Sequence, residues 1–215
     1  MFEKPGTRPN RLSHIGIQTY NIEKIRDWYR LLLNGEVVSE RIPDFCTVTC
    51  DREHHRIAII GLKGTPPPKS HSMAGIFHSA FGMRSIFDLL ENYERARDFC
   101  IRPVRCVHHG LTISLYYKDP DDTQCELLVD CYPTFEKSVE FLRGPVFAHT
   151  LGAPGYFDPE EMLARMKGGA TEAELLYYDK EMAMKIDFEA ERRKTRAINA
   201  GLASQADGAD GIKIP

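Results

Sequence analysis

No two of the six cysteines stand at C-x-x-C spacing. They are Cys46, Cys50, Cys100, Cys106, Cys125 and Cys131. This argues against a zinc site built from cysteines, and a chain of 215 residues needs no disulfides to hold a core. Reduced thiols and a cytoplasmic location are the expectation. No apolar run reaches the roughly 18 residues of a membrane helix. The opening residues, MFEKPGTRPNRLSH, lack the apolar stretch of a secretory signal. Surplus positive charge is missing too. The formal net charge is −3, which does not suit a nucleic-acid surface. Neither a nucleic acid nor a membrane is therefore expected as a partner. The basic cluster Arg192, Arg193, Lys194 and Arg196 reads as a solvated helix face.

What is present is a pattern that occurs twice. One copy reads RLSHIGIQTYNIEKIRDWYRLLLNGEVVSERI, the other AGIFHSAFGMRSIFDLLENYERARDFCIRPVRCV. Each opens with a short strand carrying a histidine, His14 or His78. Each continues as an amphipathic helix, with Ile25, Trp28, Tyr29 and Leu32 on the first stripe and Ile86, Leu89, Leu90 and Tyr93 on the second. Strands follow: FCTVTC and HRIAIIGL in the first copy, TISLYY and CELLVD in the second. The pattern predicts an α+β fold of two βαβββ modules, at about 11–63 and 74–131, forming one domain over 11–131. The Pro- and Gly-rich segment GTPPPKSHSMAG separates them.

After Asp130 the composition turns to Glu, Lys, Ala and Met. A helical C-terminal extension is expected over 132–200, then a flexible tail over 201–215. Asp158 and Pro159 mark one helix start as N-cap and first helical residue. Residues 170–202 read as a single long helix capped by Thr171. Leu175, Leu176, Met182 and Met184 on that helix have few obvious partners, which predicts a homo-oligomer.

Strand alternation sorts the polar residues. His14 shares a face with Leu12, Gly16 and Gln18, and His78 with Ile76, Ala80 and Gly82. The opposite faces carry Ile15 and Ile17, or Phe77 and Phe81, and should pack under the helices. Both histidines thus sit beside small residues on a face that can line a cavity. The segment HGLTISLYYKDPDDTQCE, 109–126, is a hairpin turned by its Asp-Pro-Asp-Asp run. It brings His109, Tyr116 and Glu126 into one neighbourhood. Two imidazoles at matching places, with Glu126 on the last strand, make a facial ligand set that leaves positions open. His54 and His55 open another strand, and alternation groups His55 with Ile57 and Ile59. His108 and His109 are not separated by this criterion. His71 and His149 read as structural.

These residues carry a resemblance to the type I extradiol dioxygenases, which cleave catechol rings and belong to the vicinal oxygen chelate (glyoxalase-fold) superfamily. The family pattern places a small or β-branched residue two before a His, then an apolar-Tyr pair, an acidic-Pro turn and a Glu. Val107, His109, Leu115-Tyr116, Asp119-Pro120 and Glu126 occupy those places. The segment EHHRIAI looks like the family's His-His strand, whose second histidine corresponds to His55. Asp122 stands where the pattern has Gly or Pro, the linker after His55 is longer than usual, and there is room for only one module pair. The resemblance implies the short, single-domain branch. It further implies Fe(II), with Mn(II) as the variant metal, held by His14, His78 and Glu126. A catechol and O2 would be the co-reactants. Tyr116 would hydrogen-bond the ionised catechol oxygen, His55 would take the second proton and later return one, and His109 would hydrogen-bond substrate oxygen. The competing expectations are a glyoxalase-type lyase or isomerase and a non-catalytic small-molecule-binding protein of the same fold. The lyases use a fourth ligand, and RIAIIGL supplies no carboxylate or imidazole for one.

Overall fold

The computed structural model describes Pro9 and residues 11–66, 75–150 and 155–185. His71, the part of the expected helical extension over 186–200 with its basic cluster at 192–196, and the tail over 201–215 lie outside the described residues. The chain separates into two compact units, each built as βαβββ.

In the first unit, β1 (Ile15–Thr19) leads to α1 (Ile22–Leu32). The helix starts where Asn21 accepts a hydrogen bond from the Lys24 amide, which satisfies one orphan donor. Its buried stripe includes Ile25, Trp28, Tyr29 and Leu32, as the periodicity predicts. Then come β2 (Glu36–Arg41), β3 (Phe45–Thr49) and β4 (Ile57–Gly61), in sheet order β1-β4-β3-β2. β1 and β4 run parallel, with Ile15 opposite Ile57 and Gly16 opposite Ala58. Ile57, Ile59, Val48 and Cys46 are buried, and α1 packs on β3 and β4.

The second unit repeats the plan. β5 (His78–Gly82) leads to α2 (Ile86–Asp98), capped by Ser85. β6 (Arg105–His108), β7 (Thr112–Lys118) and β8 (Gln124–Asp130) follow. α2 buries Ile86, Leu89, Leu90 and Tyr93 and packs on β8. Phe77 departs from expectation. It precedes the first ladder residue and is 63% exposed, so the alternation that would have turned it under the helix never begins there. The β7–β8 turn folds through Asp119, whose Oδ1 accepts from the Asp121 amide at 2.9 Å. Asp122 has φ of 66°, a left-handed conformation. That explains why a glycine suits this position and why Asp, which tolerates it, can stand in.

The C-terminal region is only partly as read. α3 (Phe135–Leu142), α4 (Pro145–Thr150) and α5 (Pro159–Lys167) are helical, with Asp158 capping α5. Between them β9 (Gly155–Tyr156) joins the edge of β6, giving the order β5-β8-β7-β6-β9. The single long helix from 170 is broken. α6 (Glu172–Leu175) starts in a capping box between Thr171 and Glu174, and α7 (Lys180–Lys185) starts afresh. Asp179 provides the new cap by accepting from the Met182 amide at 2.9 Å. Tyr178 in the break packs against His108 and Phe141, and this tertiary contact outweighs local helix propensity. Leu175 is 2% exposed and therefore has partners inside the unit, whereas Met182 and Met184 remain exposed. Among the described residues, no helix is long and apolar enough to cross a membrane. All six cysteines are free thiols.

Candidate active site

The register of the second sheet sets its polar face. Ala80, Glu126, Tyr116 and Arg105 stand opposite one another on four successive strands. Cross-strand partners project to the same side, so these four form one row. His78, Gln124 and Lys118 form the adjacent row two residues along. The opposite face carries Cys125, Leu127, Leu115 and Tyr117, all buried. Alternation thus sends the apolar set to the core and leaves His78, Glu126 and Tyr116 together.

The contacts bear this out within the unit. His78 Nε2 lies 2.9 Å from Glu126 Oε2. The Tyr116 ring stands edge-on to His78, with centroids 5.6 Å apart. His109 Nε2 is 3.0 Å from Tyr116 Oη. The Glu126 side chain is only 6% exposed. No lysine or arginine pairs with it among the described residues. A buried carboxylate without a cation is costly. Nδ1 of His78 is buried with no hydrogen-bond partner. His78 Nε2 and the buried Glu126 carboxylate, which lacks a Lys or Arg partner among the described residues, are a donor pair that fits a divalent metal ion. Burial first, and then the negative charge of Glu126, push the Tyr116 phenol well above its ordinary range. Tyr116 is therefore a protonated donor at neutral pH.

The two neighbouring histidines, indistinguishable in sequence, separate cleanly. His108 stands opposite Ile113 and is buried on the helix side. Its Nδ1 accepts from the Gly110 amide at 3.1 Å, so Nε2 carries the proton and donates to Leu176 O at 3.3 Å. Burial lowers its pKa and keeps it neutral. His109 turns to the other side, toward Tyr116. The turn between β6 and β7 needs Gly110, whose φ is 77°. A Cβ there would also stand 2.7 Å from the Phe141 ring and 2.8 Å from the Tyr178 ring. Gly110→Ala should therefore cost about 2 kcal/mol through backbone strain and overpacking. In a chain of this size, a thermal melt should show Tm lower by roughly 4–8 °C. An unchanged melting curve would show that the C-terminal segment does not press on this turn.

In the first unit, His14 and His55 meet with ring centroids 4.5 Å apart. Alternation had grouped His55 with Ile57 and Ile59, but β4 begins only at Ile57. His55 lies in the preceding bend, free of the strand's alternation, and its ring turns to His14. Arg56 stitches this corner together. Its Nη1 donates to Leu12 O at 2.6 Å and Ser13 O at 2.8 Å, while Nε donates to Asp51 Oδ2 at 2.8 Å. Thr49 Oγ1 holds the same bend by donating to Glu53 O at 2.6 Å. His54 Nδ1 is 2.6 Å from His55 Nδ1, with the His54 side chain 68% exposed. Burial, then the neighbouring His54 and His14, lower the His55 pKa and favour the neutral imidazole. Neutral His55 can accept a proton. Among the described residues, no group of three or more His, Cys, Asp or Glu side chains is gathered as a metal cage. Sequence reasoning missed Arg56 and Arg105. Strand position was the available signal for Arg105, which aligns with Tyr116 only once the register is known.

Residues 11–127 match the Glyoxalase/Bleomycin resistance protein/Dioxygenase superfamily, and the chain belongs to that superfamily. It is 36% identical over 166 residues to biphenyl-2,3-diol 1,2-dioxygenase 3 of Rhodococcus globerulus, covering 77% of this chain and 86% of that protein. It is also 36% identical over 141 residues to biphenyl-2,3-diol 1,2-dioxygenase 2 of the same organism, covering 66% of this chain and 74% of the relative. A solved glyoxylase/bleomycin resistance protein/dioxygenase domain from Frankia sp. EAN1pec aligns with TM-score 0.50 at 16% identity, over 57% of this chain and 93% of that one. This last likeness speaks to fold alone.

Proposed function

We propose that the protein is an extradiol dioxygenase that cleaves a catechol-type ring beside its diol and incorporates both atoms of O2. The observation that carries this reading is the His78–Glu126–Tyr116–His109 cluster, set on one sheet face in a chain 36% identical to two biphenyl-2,3-diol 1,2-dioxygenases. His14, His78 and Glu126 would hold Fe(II), or Mn(II) in its place. When bound, the metal supplies a common centre for diol and O2 and a route for electrons between them. Tyr116 donates its O–H to an ionised diol oxygen, a charge-assisted bond stronger than a neutral one. His55, neutral and beside His14, takes the second diol proton and returns a proton later. His109 orients Tyr116 through the 3.0 Å contact and offers a hydrogen bond to substrate oxygen. We place the protein in the catabolism of aromatic compounds, in the cytoplasm, as a homo-oligomer. The exposed Met182 and Met184 support the oligomer.

The test is direct. Protein reconstituted anaerobically with Fe(II) is mixed with catechol and then exposed to O2. A yellow ring-fission product, with one O2 consumed per diol, is the expected result. Iron binding without oxygen uptake across a panel of substituted catechols would overturn the reading. The lyase reading gains no support from β4, which carries neither carboxylate nor imidazole.

A further inference from the structure

Arg105 is the residue in the polar row of the second sheet that the proposed chemistry leaves unused. It stands directly opposite Tyr116 on β6, one strand beyond the Tyr116–Glu126 pair. Its guanidinium lies over the Tyr116 ring, 4.1 Å from the centroid. Its Nε is buried and has no hydrogen-bond partner. Among the described residues it makes no ion pair. An arginine keeps its charge at all accessible pH, and its N–H groups form a planar fork matched to a carboxylate. A buried donor left unsatisfied costs stability, so a partner from outside the chain is the natural complement. The contact over the Tyr116 ring holds the guanidinium in place.

We infer that Arg105 is a specificity-determining residue that takes the carboxylate of an acid-bearing catechol. The inference rests on the diol-cleaving reading above and extends it to the substrate class. A diol held at Tyr116 points its ring substituent along the row or away from it. Neighbouring strands are about 4.8 Å apart. A one-carbon arm bearing a carboxylate on such a diol would meet the fork, whose central carbon lies 4.1 Å from the Tyr116 ring centroid. The row then serves two ends of one molecule: Tyr116 the diol oxygen, Arg105 the acid. Ala80, at the other end of the row, adds little bulk.

The experiment compares catechols carrying a carboxymethyl arm at ring position 3 or 4 with their ethyl isosteres. The wild type, Arg105→Met and Arg105→Lys are each loaded with Fe(II). Steady-state turnover is measured, and binding is measured anaerobically. The wild type should prefer the carboxymethyl compound at one of the two positions. Arg105→Met should lose on the order of 10–100-fold more kcat/KM on the acid than on the isostere, the factor expected of one hydrogen bond to a charged group. The loss should fall mainly on KM and on the anaerobic Kd. Arg105→Lys should restore part of the preference, because charge returns without the fork. Equal losses on acid and isostere would make Arg105 only a brace for Tyr116 and overturn the inference, as would a wild type that prefers the ethyl compounds at both positions. If the acid binds preferentially but no ring is cleaved, the dioxygenase reading fails and the acid-binding role of Arg105 stands.

Discussion

Replacing Glu126 with Ala is expected to remove most of the bound iron and bring ring cleavage down to background. Glu126 is the anionic donor of the proposed set, and its side chain is 6% exposed, so solvent cannot substitute for it cheaply. Losing an outer partner of a metal ligand typically costs 10–100-fold in affinity, and losing the ligand itself should exceed that. His78→Ala and His14→Ala should behave alike. The measurement is iron per chain after anaerobic loading and desalting, with circular dichroism to check that each variant is folded. Glu126→Gln separates charge from volume: it fills the same space but should still hold iron poorly, because the neutral amide does not offset a dication. Stoichiometric iron retained by folded His78→Ala would sink the ligand assignment.

The acid–base residues should leave a different signature. His55→Gln should keep its iron and still bind catechol anaerobically, yet turn over about 10²–10⁴-fold more slowly. Tyr116→Phe should also keep its iron. Its main defect should be weaker binding of the diol, since the donor to the ionised oxygen is gone. His54→Gln is the informative neighbour. Its ring touches His55, with Nδ1 atoms 2.6 Å apart, but its side chain is largely exposed. A small effect in His54→Gln beside a large one in His55→Gln supports the assignment. The reverse pattern would show that the two adjacent histidines have exchanged roles.

Much of this was legible in the chain itself. Residue spacing identified α1 and α2, because a buried stripe at helical period is a local property. Asp158 and Thr171 each started a helix as N-caps, as their side-chain chemistry dictates. Asp122 tolerated the left-handed turn that a glycine would otherwise fill. The doubled βαβββ order was visible because each module repeats the same sequence of short-range patterns.

Other features lay beyond local pattern. A strand's alternation has meaning only from the residue where pairing begins. Phe77 and His55 each fall before a ladder, which begins at His78↔Gln124 or at Ile15↔Ile57, and each departs from the face assigned to it. The break at 176–179 exists because Tyr178 packs on His108 and Phe141, residues far away in sequence. His108 and His109 part company because Leu176 and Tyr116 claim them from opposite sides of the sheet. The sequence by itself determined the fold class, the helix stripes and the donor types, since propensity, period and side-chain chemistry act over a few residues. Only the tertiary structure decided which donors face one another and that Arg105 joins their row, because register arises from pairing between strands that the chain brings together after long separations.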